Sequence, residues 1–129
     1  MQGRRRQRRR WSRSRGGVWF LEPTVLLLLH HGPVHGYLLL EQLADFDLDD
    51  LDASVVYRVL RDMEDRNWVT SCWDTDNTLG PPRRVYRLTA LGDEVLRGYI
   101  KDLEQTYARI GRLIQAYYRH MEEGEGEHH

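Results

Sequence analysis

The sequence is poor in cysteine and in long apolar runs, and each shortage argues against a class of protein. Its single cysteine, Cys72, cannot form a disulfide within one chain, which suits a reducing compartment and predicts a cytoplasmic protein. The longest apolar run covers residues 25–29, far below the roughly 20 residues that a membrane-spanning helix needs. The basic N-terminus is not followed by an apolar stretch and a small-residue cleavage site, so no signal peptide is expected.

Motifs that carry catalysis or hold cofactors are also missing. The chain has no glycine-rich phosphate loop, no Ser, His and Asp at a recognisable spacing, and no paired carboxylates on an evident cleft. His30, His31 and His35 lack the spacing of a zinc site, so a loop between two helices explains them better than a metal does. The sequence therefore predicts neither an enzyme nor a bound cofactor or metal.

A cluster of acids before the third predicted helix partly matches a calcium-binding loop. Asp45, Asp47 and Asp49 have the spacing of its first three ligands. Asp50, however, replaces the required glycine, and Val56 stands where the bidentate glutamate belongs. We interpret the cluster as a solvated acidic turn, whose charge would repel a nearby phosphate.

Charge is unevenly distributed, although the net charge of the whole chain is only −1. Residues 1–15 hold eight arginines and no acid, while the rest of the chain holds eleven basic and twenty acidic residues and carries −9. Such an arginine run cannot bury a core, so it is predicted to be a disordered arm that follows DNA phosphates or enters a minor groove. A solvated tail with only non-specific affinity for polyanions is an equally good interpretation. The arginines of the arm are Arg4, Arg5, Arg6, Arg8, Arg9, Arg10, Arg13 and Arg15.

Apolar periodicity and turn residues predict three helices followed by a hairpin. A nearly continuous apolar stretch predicts a mostly buried first helix over residues 18–31. The second helix is expected over residues 35–46, and the third over residues 53–67 with Asp52 as its N-cap. Residues 68–73 are predicted to form the first strand of the hairpin.

The second strand of the hairpin lies in the most informative segment of the chain. Gly80-Pro81-Pro82 predicts a bend, because proline fixes φ and glycine allows the chain to reverse. Residues 83–88 alternate as a two-faced strand requires, and Thr89 is expected to cap the last helix. A turn that presents Arg83 and Arg84 beside a helix is suited to holding a phosphate backbone.

Three helices followed by a hairpin is the order of a winged helix-turn-helix, whose third helix enters the major groove of DNA. Ser54 and Val55 lie near the helix N-terminus, the part that usually reaches base edges. Tyr57, Arg58 and Arg61 follow on the same helix and can reach bases or phosphates. The alternative is an ordinary amphipathic helix whose polar face is exposed to solvent. The basic hairpin that follows the helix, called the wing, favours DNA binding over this alternative. The predicted DNA contacts are Ser54, Val55, Tyr57, Arg58, Arg61, Arg83, Arg84 and Tyr86.

Three motifs, in this order, resemble the PadR family of transcriptional regulators over about residues 21–121. They are His35-Gly36-Tyr37 in the second helix, residues 56–64 (VYRVLRDME) in the third, and residues 80–89 with Gly92 in the wing and last helix. The resemblance implies a homodimeric winged-helix protein, commonly a repressor relieved by a small ligand, whose short form has a single C-terminal helix. By position it implies that Tyr57 and Arg58 contact DNA from the third helix. It likewise implies that Arg83 and Arg84 contact DNA from the wing.

The C-terminal helix independently predicts a dimer seam. Eight apolar residues are separated alternately by four and three positions, a 3.5-residue period that is typical of a coiled coil. Either the first helix or a second subunit must cover such a stripe, and we favour a homodimer. Two wings about one DNA turn apart would then read a pseudo-palindrome. The predicted seam residues are Leu96, Ile100, Leu103, Tyr107, Ile110, Ile114, Tyr117 and Met121.

Two aromatic residues on the first helix, Trp19 and Phe20, have two interpretations. They pack in the core, which is the favoured one, or they line an aromatic effector pocket at the dimer interface.

The predicted fold is mainly α with a small β-hairpin, a winged helix-turn-helix followed by a long dimerisation helix. Its parts are a disordered arm (1–17), the DNA-binding domain (18–89), the dimerisation helix (90–122) and a disordered acidic tail (123–129). The predicted function is a sequence-specific DNA-binding regulator, a homodimeric repressor of a pseudo-palindromic operator that responds to a small aromatic ligand. The alternative is an RNA-binding or protein-interaction adaptor that uses the arginine-rich arm and the coiled-coil helix.

Overall fold

Four α-helices, one short 3-10 helix and three strands make up the described part of the chain. The computed structural model describes residues 18–74, 80 and 82–124. In order, the elements are α1 (Val18–His30), β1 (Val34–His35), α2 (Gly36–Gln42), the 3-10 helix (Leu43–Phe46), α3 (Ala53–Asp65), β2 (Val69–Asp74), β3 (Arg83–Leu88) and α4 (Ala90–Gly124). This order confirms the predicted winged helix-turn-helix with a long C-terminal helix. None of these helices is both long and apolar enough to cross a membrane.

The sheet is antiparallel and has the order β1-β3-β2, so it contains one strand more than the predicted hairpin. β2 and β3 pair along their whole length, from Val69 opposite Leu88 to Asp74 opposite Arg83. On the other edge of β3, Val34 pairs with Tyr86. A strand of two residues is too short to show a period-2 pattern, so its existence depends on the neighbour that it pairs with.

The core lies where α1, α2 and α3 meet the sheet. Almost every residue of α1 is apolar, which predicts burial on several sides, and Leu21 and Leu26 are fully buried. α3 is amphipathic instead, with buried residues at helical spacing. Those residues are Val56, Val59, Leu60 and Met63. The opposite side of α3 is exposed.

The ends of α3 are defined by the backbone. Asp52 occupies the predicted N-cap position with an extended conformation, but its side chain makes no capping hydrogen bond. Its carbonyl accepts hydrogen bonds from the N–H groups of Val55 and Val56. At the other end Asn67 has φ of 66°, and the next N–H, of Trp68, donates to Met63 at 2.9 Å. This left-handed turn ends the helix and leads into β2.

α4 begins with the predicted threonine cap. Thr89 Oγ1 accepts a hydrogen bond from the Gly92 N–H at 2.9 Å and lies 2.7 Å from the Asn67 carbonyl. Gly92 packs so closely that a Cβ atom there would lie 2.1 Å from the carbonyl oxygen of Trp68. The first turn of α4 is thereby joined to the start of β2.

The chain divides into two compact units, one ending at Leu96 and the other beginning at Arg97. Leu96 is only 5% exposed and packs within the first unit, so we remove it from the predicted dimer seam. In the second unit the helix continues through Glu123 and Gly124, two residues into the predicted acidic tail. The other predicted seam residues are half-buried or exposed.

Candidate nucleic-acid interface

The exposed side of α3 carries the residues that the sequence analysis assigned to DNA. Ser54, Arg58 and Arg61 are exposed, Val55 is half-buried and Tyr57 is 36% exposed. The hydrophobic stripe on the other side fixes the orientation of the helix, so these side chains share one face. Within residues 18–74, 80 and 82–124, neither Arg58 nor Arg61 takes part in an ion pair.

The N-terminus of α2 lies close to this face. A Cβ atom at Gly36 would lie 3.0 Å from the Tyr57 ring and 3.4 Å from the Tyr86 ring, a space in which only glycine fits without movement. The two helices of the helix-turn-helix therefore approach each other through a glycine and a tyrosine ring. This contact gives a physical role to a glycine that the sequence analysis noted only as part of a motif.

Arg83, at the start of β3, is held against α2. Its Nη1 donates a hydrogen bond to the Tyr37 hydroxyl at 2.7 Å, and its guanidinium lies 4.6 Å from the centre of the Tyr37 ring. Both side chains are exposed. The contact joins residues 46 positions apart in sequence and connects the wing to the first helix of the helix-turn-helix.

Arg84 is held differently, by groups from α3 and β2. Its Nε donates to Ser71 Oγ at 2.9 Å, and Ser71 in turn donates to Glu64 Oε2 at 2.8 Å. Arg84 Nη2 also lies 3.8 Å from Glu64, and its guanidinium lies 5.1 Å from the centre of the Trp73 ring. Arg84 therefore has an acidic partner within the protein, whereas Arg83 forms no ion pair with a described residue.

Tyr86 does not share the exposed surface of the other predicted contacts. Its side chain is 6% exposed and lies in the core near Gly36. Burial, the largest influence, raises the pKa of its hydroxyl above the ordinary 10.0, against the lowering effect of Arg84. We therefore correct the prediction for Tyr86 to a packing role.

Two of the histidines pair with acids. His30 Nδ1 lies 3.1 Å from Asp93 Oδ1, and His35 Nε2 lies 3.0 Å from Asp74 Oδ2. The part of the chain that the structure describes contains no group of three or more His, Cys, Asp or Glu side chains able to hold a metal.

The acids before α3 are exposed, so the structure places their charge in solvent next to the candidate interface. They are Asp45, Asp47, Asp49, Asp50 and Asp52.

Trp19 and Phe20 are 50% and 46% exposed, so the interpretation that they pack in the core of their own unit is wrong. Their rings meet edge to face with centroids 4.8 Å apart. A separate cavity of about 410 Å³ lies in the first unit, and neither ring lines it. Its lining residues are Leu29, His30, Pro33, Arg87, Leu88, Thr89, Ala90 and Asp93.

The family model of the PadR-like transcriptional regulators matches residues 25–98, more than half of the chain. The chain belongs to the PadR-like family. The matched region includes α3, the wing and the buried start of α4, and it confirms the resemblance seen in the sequence motifs. A comparison with curated protein sequences gives no significant match.

Solved structures of other proteins show the same fold as this PadR-like regulator. A conserved protein of unknown function, described as a potential transcriptional factor, is 37% identical with a TM-score of 0.70, over 81% of this chain and 92% of that one. A PadR family transcriptional regulator from Eggerthella lenta is 32% identical, with a TM-score of 0.59 over 70% and 80% of the two chains. A PadR-like regulator from Bacillus cereus, at 23% identity, has a TM-score of 0.66 over 74% and 91%.

Some predicted parts of this PadR-like regulator lie outside the described residues. They are the arginine arm (1–17), most of the wing tip (75–79 and 81) and the last five residues (125–129). Within the described residues, sequence reasoning missed Tyr37 as a partner of Arg83, and it missed the link from Glu64 through Ser71 to Arg84. The hairpin register places Trp73 opposite Arg84 and Ser71 two positions earlier on the same strand, so Ser71 is a diagonal neighbour of Arg84. The contact between Tyr37 and Arg83 joins residues 46 positions apart and has no local sequence signal.

Proposed function

We propose that this PadR-like regulator binds double-stranded DNA in a sequence-specific manner through the exposed face of α3. The observation that carries the proposal is the pair Arg58 and Arg61, two exposed cations without an acidic partner among residues 18–74, 80 and 82–124. They stand on a chain that, beyond its first fifteen residues, carries −9. Free cations on one helix face of an otherwise acidic protein favour a polyanionic partner.

The roles of the individual residues follow from their positions. Ser54 and Val55, at the N-terminal end of α3, reach base edges, and Tyr57 with the two arginines of α3 reaches bases or phosphates. From the wing, Arg83 contacts phosphate, while Arg84 mainly holds the wing against α3. The arginine arm adds affinity that depends strongly on salt and little on sequence.

The proposed assembly is a homodimer held by α4. The seam residues Ile100, Ile110 and Ile114 are between 41% and 51% exposed in the single chain. Exposed isoleucines at coiled-coil spacing are unfavourable in water, so a second copy that covers them lowers the free energy. In this proposal residues 18–89 bind DNA and residues 90–122 dimerise, and two such units read a pseudo-palindromic operator.

The proposed output is repression in the cytoplasm, relieved by a small ligand. A dimer bound across a promoter excludes other proteins from it, and the resemblance to the family points in the same direction. Trp19 and Phe20 form an exposed aromatic pair, which suits an aromatic ligand or the partner subunit. The protein acts in this proposal as a regulator and not as an enzyme.

Selection of binding sites from a random duplex pool, followed by affinity measurement at 150 mM salt, tests the proposal. Arg58→Ala with Arg61→Ala should weaken binding to the selected duplex by roughly 100-fold, because two charge-assisted contacts are lost. The matched control, Arg109→Ala with Arg112→Ala, removes two arginines from the outer side of α4 and should change affinity little.

Two results would contradict the proposal. One is that no sequence is enriched from the pool. The other is that the α3 variant binds like the wild type and only deletion of residues 1–15 abolishes binding, which would favour the RNA-binding or adaptor function.

A further inference from the structure

The contact between Arg83 and Tyr37 has a hydrogen-bonding pattern suited to an anion. Arg83 has donors only, so the Tyr37 hydroxyl oxygen accepts the 2.7 Å hydrogen bond. The hydroxyl proton of Tyr37 then remains available, and within the described ranges it has no acceptor. Tyr37 is 45% exposed, so this proton is accessible from solvent. The pair therefore offers one O–H donor and several N–H donors side by side.

The described side chains around the pair do not neutralise the positive charge of Arg83. Arg83 forms no ion pair among residues 18–74, 80 and 82–124. The nearest acid in strand register is Asp74, whose Oδ2 lies 3.0 Å from His35 Nε2. His35 therefore contacts the carboxylate that lies opposite Arg83 in the sheet. The His35 ring also lies 5.9 Å from the Tyr37 ring, so His35 and Arg83 both lie beside Tyr37.

We propose that Tyr37 and Arg83 together form a subsite for one DNA backbone phosphate, an inference that rests on the proposed function. Tyr37 donates its hydroxyl proton to the phosphate, and Arg83 supplies charge and N–H donors. The stacked ring holds the guanidinium in place before binding, so less side-chain entropy is lost when DNA arrives. The two neighbouring wing arginines then differ: Arg83 binds phosphate, and Arg84 is engaged by Glu64 and Ser71.

The test measures the affinity of the full-length protein for its selected duplex. Tyr37→Phe keeps the ring and removes the hydroxyl, and it should weaken binding by about 10-fold, the loss of one hydrogen bond to a charged group. The salt dependence of binding should stay unchanged in Tyr37→Phe, whereas Arg83→Ala should lower its slope by about one. Adding Tyr37→Phe to Arg83→Ala should cost much less than 10-fold, because the subsite is shared.

A duplex series in which single phosphates are replaced by neutral methylphosphonates locates the subsite. The wild type should lose affinity at one position in each half-site, and Tyr37→Phe should lose much less there. Tyr118→Phe, which removes a hydroxyl from the second unit, is the matched control and should behave like the wild type. Thermal unfolding of each variant checks that the fold is intact.

The outcomes separate this inference from the proposed function. If the wild type binds no duplex, both fail. If it binds and Tyr37→Phe binds equally well, or if the losses in the double variant simply multiply, the shared subsite is wrong while DNA binding stands. Exchange of chloride for inorganic phosphate at constant ionic strength should weaken DNA binding by the wild type more than by Tyr37→Phe, because free phosphate competes with the DNA phosphate for the pair.

Discussion

The two compact units bury their apolar side chains to opposite extents, although both depend on helical spacing. In the first unit, α3 presents Leu60 and Met63 at such a spacing, and both are fully buried. In the second unit, Ile110 and Tyr107 follow a similar pattern and remain 51% and 81% exposed. The first unit therefore has a buried core, whereas the second has an apolar stripe that the described residues of one chain leave exposed.

The largest effect should come from a charge placed in the stripe of the second unit. Ile110→Asp would bury one carboxylate from each subunit of the proposed dimer, which we expect to cost about 4 kcal/mol in association free energy. That loss corresponds to a roughly 1000-fold weaker dimer. Sedimentation at micromolar concentration should show monomers, with the unfolding of the first unit unchanged.

The control for this change adds the same charge outside the stripe. Gln105→Asp lies on the side of the coiled-coil pattern opposite to the seam, so the variant should sediment as the wild type does. A dimer that persists in Ile110→Asp would mean that another surface holds the subunits together.

The next effect contrasts the same substitution in the two units. Gly92→Ala would place a Cβ atom 2.1 Å from the Trp68 carbonyl oxygen, a backbone atom that cannot move alone, and should destabilise the first unit by about 3 kcal/mol. Gly98→Ala, in the second unit, meets no atom within 4 Å and should stabilise the helix by up to about 1 kcal/mol. Urea unfolding of both variants measures these opposite signs. Equal effects would contradict the close packing at Gly92.

Features set by local sequence were predicted correctly. The apolar stripe of α3, the alternation of residues 83–88 and the threonine before α4 each follow from neighbours within a few positions, and the structure confirms all three elements. The order of these elements was sufficient to indicate the winged helix-turn-helix. Local periodicity and capping thus determine most of the fold of the first unit.

Features set by distant neighbours were not predictable from the sequence. The two residues of β1 form a strand only because they pair with β3. Whether Trp19 and Phe20 are buried depends on what packs beside α1, which periodicity does not reveal. The same holds at the candidate interface: Arg83 and Arg84 are adjacent and identical, yet one meets Tyr37 and the other meets Glu64 and Ser71.

The smallest effect concerns Tyr86, the buried residue beneath the candidate interface. Because burial raises its pKa above 10.0, its contribution to stability is fully present below pH 10 and is lost as the pH rises through the raised value of the folded state. Tyr86→Phe should therefore change stability by no more than about 1 kcal/mol at neutral pH and should reduce the loss of stability above pH 10. Urea unfolding between pH 8 and pH 11 measures both, with the exposed Tyr118→Phe as control. Alkaline loss of equal size in wild type and Tyr86→Phe would show that ionisation of Tyr86 does not cause the loss of stability.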